Sequence, residues 1–243
     1  MSGNRLDPEF DPRLVEAAVL TASRGHAVEG EFHAERDRLY EILDLEAREA
    51  AFDAHHARWF ARLALDQPFR RALAEQPAIA ASCGRWLVAG ARARDEAADL
   101  LVGADVRPTL LVRVTPEAIA VPGRLWRLLR RELQHIADML DPGFGYEATL
   151  PASVGEGPRG RVVRDNYRLL WDAWVDGRLL RRGLLPASAR GDRLADFARV
   201  FGHLGVAVET VFDRIFCADQ LTHRALVAFA AGGPDSWRQA ELS

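Results

Sequence analysis

The sequence of 243 residues lacks lysine, contains only two cysteines and has no long apolar run. All 32 basic residues are arginines, spread among 35 acidic residues at a net charge of -3, so the basic patch typical of nucleic-acid binding is absent. No run of 18 apolar residues occurs and no apolar segment follows the N-terminus, which argues against a membrane span and a standard signal peptide. We therefore expect a cytoplasmic protein that binds neither nucleic acid nor a membrane.

The scarcity of cysteine excludes a fold built on disulfide bonds or on a cysteine-rich zinc site. Cys83 and Cys217 lie in apolar helical patterns without a C-x-x-C partner, so we expect two reduced core residues. A chain of this length buries roughly 70–75% of its unfolded surface and needs no metal to fold. Any bound metal would therefore serve function or local structure.

Hydrophobic periodicity predicts a mainly α protein with a small β-sheet. Residues 1–12 are predicted to be a flexible tail and residues 13–243 a single domain. From about residue 13 to 65 the apolar spacing is helical, over a stretch too long for one helix, so at least one break is expected. A further helix is predicted from Pro77 to about residue 102. The best strand candidate is TLLVRV, residues 109–114.

The second half of the chain is predicted to be helical around one long loop. A helix is expected at 122–140, a loop rich in glycine and proline at 141–160, and a strongly periodic helix at 161–182. Residues 191–231 are predicted to form two or three helices. Their interruptions are expected near 202–205 and 219–222.

The stretch LLRRELQHIADMLDP, residues 128–142, differs at one position from a zinc-binding H-E-x-x-H helix. In such a helix the two histidines, four residues apart, face one metal ion, and the glutamate serves as general base to the bound water. Glu132 and His135 stand at the second and fifth positions of the pattern. Arg131 replaces the first histidine.

The surroundings of this helix resemble the gluzincin branch of the zincin metallopeptidases. A strand candidate precedes it, a long loop follows it, and the next helix carries Asp172 and Asp176 at i, i+4 on one face. The resemblance covers about residues 109–183 and implies a zincin-like α+β core with additional N- and C-terminal helices. It also implies peptide or amide hydrolysis, with Glu132 as general base and with His135 and Asp172 as zinc ligands.

The resemblance leaves the role of Asp176 open between two alignments. In the first, Asp176 is the acid that supports a metal ligand. In the second, the string D-G-R-L that begins at Asp176 corresponds to the E-G-x-A string of some zincins, and Asp176 is itself the ligand. Asp138 lies three residues further along the helix and could orient His135, whereas the ordinary expectation at this position is an exposed acid near a helix end. Phe144 and Tyr146, from the following loop, either line the cleft or pack the loop against the body of the protein.

Arg131 determines which function the resemblance supports, because a guanidinium group has no lone pair to offer a metal. Zinc could still bind if His33, His55 or His56 supplied the missing ligand. Alternatively, the guanidinium occupies the metal position and forms an ion pair with Asp172 or Asp176. The second alternative needs fewer assumptions. It predicts a metal-free pseudoenzyme whose cleft binds a peptide or protein without cleaving it.

Two other classes of protein are compatible with the same residues. A helical bundle with a di-iron site uses E-x-x-H pairs and further carboxylates. The chain offers Asp53 with His56, Glu132 with His135, and Glu31, Glu35 and Asp172. A purely helical interaction protein without a site is the third possibility, because each of these residues also has an ordinary structural role.

Overall fold

Helices make up most of the protein. In the computed structural model 67% of the chain is helical and 11% lies in strands, which confirms the predicted mainly α class with a small β-sheet. None of the described helices is both long and apolar enough to cross a membrane. The chain divides into two compact units, Met1–Ile136 and Ala137–Ser243. The structure describes residues 6–92, 95–103, 106–149, 151, 155 and 157–236.

The first unit contains the predicted helical stretch, which is broken as expected. Asp11 and Asp44 cap the first and third helices, where their carboxylates accept the backbone N–H groups of Arg13 and Ala47 at 2.9 and 2.8 Å. Pro68 and Pro77 each lie in the first turn of a helix, a position that suits proline. The helices are α1 (Pro12–Ser23), α2 (Glu29–Arg38), α3 (Leu45–Arg62), α4 (Gln67–Ala74) and α5 (Pro77–Ser82).

A four-stranded sheet of order β1-β2-β4-β3 lies in the same unit. β2 pairs in parallel with both β1 and β4, and β3 pairs antiparallel with β4 at the sheet edge. β4 contains the predicted strand 109–114. The bounds are β1 (Pro8–Phe10), β2 (Arg85–Gly90), β3 (Ala97–Gly103) and β4 (Val106–Val114).

The predicted helix from Pro77 to residue 102 is wrong beyond Ser82, because β2 and most of β3 occupy that segment. In β2 the side chains of Trp86 and Val88 are buried, whereas Arg85 is exposed. This alternation is the period of a strand with one buried face. The many alanines of the segment favour a helix locally, and pairing with β4 overrides that preference.

Part of the predicted flexible tail is also ordered. Pro8–Phe10 forms β1, which pairs with Trp86, Leu87 and Val88 of β2. Phe10 packs against the rings of Phe60 and Phe69, with centroid distances of 4.9 and 5.1 Å. The first five residues of the tail lie outside the described part of the chain. Three residues are too few to show a strand period, so the sequence did not indicate β1.

The two cysteines are free, as expected, but only one belongs to the core. Cys83 is buried, whereas Cys217 is exposed directly after α10 (Val208–Phe216). The prediction of a core position is therefore wrong for Cys217. Its apolar neighbours place it in a helical pattern, but the helix ends at Phe216 and turns it outward.

The helices that carry the motif residues follow the sheet. The short helix α6 (Pro116–Ala120) is capped by Thr115, whose Oγ1 accepts the N–H of Ala118 at 3.1 Å. The next helix, α7 (Pro122–Leu140), has the predicted bounds. It begins in the first unit and ends in the second.

The second unit consists of helices that pack on α8. α8 begins at Pro158, three residues before the predicted start, and α9, α10 and α11 pack against it. The predicted interruptions near 202–205 and 219–222 are confirmed, since both segments separate helices. Of the predicted loop 141–160, residues 150, 152–154 and 156 lie outside the described residues. The helices are α8 (Pro158–Arg181), α9 (Ser188–Phe201), α10 (Val208–Phe216) and α11 (His223–Gly232).

Candidate functional site

The predicted general base lies on α7 beside the sheet edge. Glu132 is half-buried, and its Oε2 accepts the backbone N–H of Ala98 at 3.0 Å. Because Ala98 belongs to the edge strand β3, this hydrogen bond ties the helix to the sheet. Glu132 therefore has a structural role, and its role as a general base is still a prediction.

The residues of the predicted zinc site are divided between the two units. Arg131 and His135 are half-buried on α7 in the first unit, and Asp172 and Asp176 lie on α8 in the second. Across the described part of the chain, no three His, Cys, Asp or Glu side chains are grouped in a way that could hold a metal ion. Zinc binding is therefore still only an expectation from the resemblance.

The two aspartates on α8 bind an arginine that the motif did not indicate. Arg193, on α9, donates from Nε to Asp176 Oδ2 at 2.9 Å and from Nη1 to Asp172 Oδ2 at 3.3 Å. The side chain of Asp176 is fully buried and that of Arg193 is 11% exposed. The predicted i, i+4 placement of both acids on one face of α8 is thus used to hold one guanidinium group.

The two carboxylates keep the guanidinium of Arg193 charged although it is buried. Desolvation by itself would lower the pKa of Arg193, but the carboxylates of Asp172 and Asp176 raise it above its ordinary value. The guanidinium therefore stays protonated at every physiological pH. Sequence reasoning missed Arg193 because it lies 17 and 21 residues from its two partners, beyond any helical spacing.

The other residues of the D-G-R-L string also have packing roles. Arg178 donates from Nη1 and Nη2 to the two carboxylate oxygens of Asp138, at 2.8 and 2.5 Å. The indole N–H of Trp171 donates to Asp138 Oδ2 at 2.8 Å. At Gly177, a Cβ atom would lie 1.7 Å from the carbonyl oxygen of Phe216 on α10. The string thus marks close helix packing around α8.

A cleft of about 910 Å³ opens in the second unit, and we call it the C-terminal cleft. It is lined by the turn after α7, by Trp174 and Arg178 on α8, and by the segment that leads into α11. Phe144, which was predicted to line a cleft, belongs to this lining. Its ring stacks between Trp171 and Trp174, with centroid distances of 5.0 and 5.5 Å.

Tyr146, the second predicted cleft residue, packs beside the lining. Its ring contacts Trp171 and His223, with centroid distances of 5.7 and 5.4 Å. His223 is buried and its Nδ1 lies 2.7 Å from the hydroxyl of Tyr167. Burial lowers the pKa of His223 and raises that of Tyr167, so both side chains are neutral near pH 7.

Two of the carboxylates predicted for a di-iron site, Glu31 and Glu35, bind arginines. Glu31 accepts two hydrogen bonds from Arg62 at 2.8 and 2.6 Å. Glu35 Oε2 accepts from Arg58 at 2.6 Å and from the indole of Trp59 at 2.8 Å. These contacts join α2 to α3, which gives both acids a structural role.

Two of the histidines proposed as substitute ligands form a buried pair on α3. His55 and His56 are each 2% exposed, and the ring of Phe32 packs against both. Burial is the main cause that lowers the pKa of His55 to about 4, and it also lowers the pKa of His56. Both imidazoles are therefore neutral near pH 7. The third histidine, His33, has a side chain that is 47% exposed.

Acid is expected to destabilise the first unit through His55. An unfolded histidine has a pKa of about 6.5, whereas that of folded His55 is about 4. Between these values the unfolded chain binds a proton that the folded chain does not. Stability is therefore lost as the pH falls through this window, by at most about 1.4 kcal/mol per pH unit.

Urea unfolding at about pH 7, 5.5 and 4.5 measures this loss. His55→Gln removes the titrating group, so the free energy of unfolding of this variant should depend less steeply on pH than that of the parent. Equal slopes for the two proteins would show that His55 is not the group responsible.

Comparison with protein-family models, with curated proteins and with solved structures finds no match to this chain in any of the three.

Proposed function

We propose that this chain is a degenerate zincin-like domain that binds a peptide or a protein segment without a metal ion and without cleaving it. The observation that carries the proposal is the ion pair of Arg193 with Asp172 and Asp176. The resemblance to zincins makes Asp172, or else Asp176, a zinc ligand. Each of these acids instead neutralises a permanent cation.

Zinc binding at these acids would disturb a buried charge pair. The ion would have to displace the guanidinium of Arg193, which is 11% exposed, from its carboxylate partners. A buried cation that loses its counter-charge destabilises a protein by about 3–5 kcal/mol. Arg131, at the position of the first histidine, adds a second cation and no ligand. Both arginines thus favour a metal-free domain.

The C-terminal cleft supplies a binding surface for this function. Its volume of about 910 Å³ lies within the range of about 300–1,000 Å³ that is usual for ligand sites. Phe144 and Trp174, which are 2% and 4% exposed, form its apolar base, and charged side chains of both signs line the cleft. A peptide combines the apolar side chains and polar backbone that such a lining suits.

Zinc content and peptide binding test the proposal together. The purified, untagged protein is incubated with zinc, dialysed and analysed by elemental mass spectrometry. Binding of a random tetrapeptide mixture with free termini is followed by saturation-transfer NMR, with and without EDTA. We expect far less than one zinc per chain, peptide signals that EDTA leaves unchanged, and peptides that remain intact.

Two outcomes would replace the proposal. About one zinc per chain, with hydrolysis that EDTA and Glu132→Gln both abolish, would identify an active zinc hydrolase with a substitute ligand. About two irons per chain would identify a di-iron protein.

Arg131→His tests the underlying resemblance separately. The variant completes the H-E-x-x-H pattern and should raise the affinity for zinc sharply. A folded Arg131→His protein that binds zinc no better than the parent would overturn the zincin-like assignment while leaving peptide binding to be judged on its own.

A further inference from the structure

The C-terminal cleft is preformed, because hydrogen bonds hold its walls. The carbonyl oxygen of Phe144 accepts the backbone N–H of His223 at 2.8 Å, which fixes the turn against the start of α11. The indole of Trp174 donates to the carbonyl of Ala218 at 3.0 Å. The guanidinium of Arg178 lies 3.5 Å from the centre of the Trp174 ring. A rigid cleft of this kind loses little entropy when a ligand binds.

One wall of the C-terminal cleft carries an arginine, Arg224, that takes no part in the ion pairs of the described residues. Arg224 lies in the first turn of α11, lines the cleft and is exposed. Within the part of the chain that the structure describes, its guanidinium forms no ion pair or hydrogen bond. By contrast, four other arginines of this unit form ion pairs with acidic side chains: Arg178, Arg190, Arg193 and Arg199.

The cleft also carries acids that could meet an opposite charge. Asp219 is exposed and, among the described residues, has no side-chain partner. Asp141 accepts the N–H of Gly143 at 2.8 Å and is exposed as well. Asp219 and Arg224 line the same cleft but do not pair with each other. A ligand with one anionic and one cationic end would satisfy both.

We infer that the C-terminal cleft binds short peptides through their two free termini. The carboxylate pairs with Arg224 at the start of α11, and the terminal ammonium group pairs with Asp219. This inference rests on the proposed function, since it names the class of peptide that the domain takes.

Capping the peptide termini tests the inference on the unaltered protein. The probe is the tetrapeptide Ala-Leu-Phe-Ala in four forms: free, N-acetylated, C-amidated and doubly capped. Affinity is measured by isothermal titration calorimetry. A charge-assisted hydrogen bond contributes enough that each cap should weaken binding about 10- to 100-fold.

Two substitutions in the cleft test which side chain binds which end of the peptide. In Arg224→Gln the free and C-amidated peptides should bind equally, whereas N-acetylation should still weaken binding. In Asp219→Asn the free and N-acetylated peptides should bind equally. Arg214→Gln replaces an exposed arginine on α10 outside the cleft lining and should leave all four affinities unchanged.

The experiment distinguishes failure of the inference about the peptide termini from failure of the proposed peptide binding. Four forms that bind equally well would overturn the inference about the termini and leave metal-free peptide binding standing. A C-amidation effect that persists in Arg224→Gln, together with an N-acetylation effect that persists in Asp219→Asn, would place the termini elsewhere and also overturn it. Absence of binding by every form, together with absence of binding by the random mixture, would overturn both proposals.

Discussion

Replacing Gly177 with alanine is expected to destabilise the protein by about 3 kcal/mol or more. The added Cβ atom would lie 1.7 Å from the carbonyl oxygen of Phe216, and 2.7 Å from its carbonyl carbon. Both neighbours are backbone atoms of α10, so no side chain can rotate to make room. α8 and α10 must move apart, and the buried contacts around Phe212 and Phe216 would loosen with them. Urea unfolding of the two proteins measures the difference.

Gly191→Ala is the matched control for this experiment. Gly191 is also helical, in α9, but it is exposed and a Cβ atom there would meet nothing within 4 Å. Alanine should raise the stability by about 0.5–1 kcal/mol at such a position, because glycine loses more backbone entropy on folding. Similar effects of the two substitutions would contradict the close approach of α8 and α10.

Removing the charge of Arg193 is the second change with a large expected effect. Arg193→Met keeps much of the side-chain length but leaves Asp176, which is fully buried, without this counter-charge. Breaking a buried ion pair by removing one partner costs about 3–5 kcal/mol. We therefore expect a loss of about 3 kcal/mol in the free energy of unfolding, again measured with urea.

The double variant shows whether charge causes the loss. Adding Asp176→Asn to Arg193→Met removes the anion that has lost this counter-charge, so part of the lost stability should return. Arg199→Met is the surface control, since Arg199 is 74% exposed in its pair with Asp196. It should cost at most about 1 kcal/mol. A double variant that is less stable than Arg193→Met alone would indicate that packing, and not charge, explains the effect.

The helical part of the fold was predictable to the extent that its signals are local. α7 has its predicted bounds, and α8 begins within three residues of the expected position. Their apolar periods are long, and proline marks the first turn of each. The strands were harder to predict. β2 is rich in residues that suit either state, and its pairing with β4 joins residues more than twenty positions apart.

The candidate site was predictable only in part. The i, i+4 spacing of Asp172 and Asp176 correctly indicated one shared face of α8. Two arginines that lie at these places, Arg193 and Arg224, were not indicated. Arg193 reaches the acids from α9, and Arg224 enters the cleft from α11. Nothing in a linear pattern distinguishes these two arginines from the other exposed or paired ones.

By itself, the sequence determined the mainly α class, the position of the long helices and the fact that Arg131 cannot be a metal ligand. These features depend on residue type and on spacings of three or four along one chain segment. Only the tertiary structure decided that Asp172 and Asp176 bind Arg193 and that Glu132 accepts a hydrogen bond from β3. It also decided that the backbone of α10 packs directly against Gly177. Each of these depends on atoms brought together from distant segments, whose meeting is set by the packing of the core as a whole.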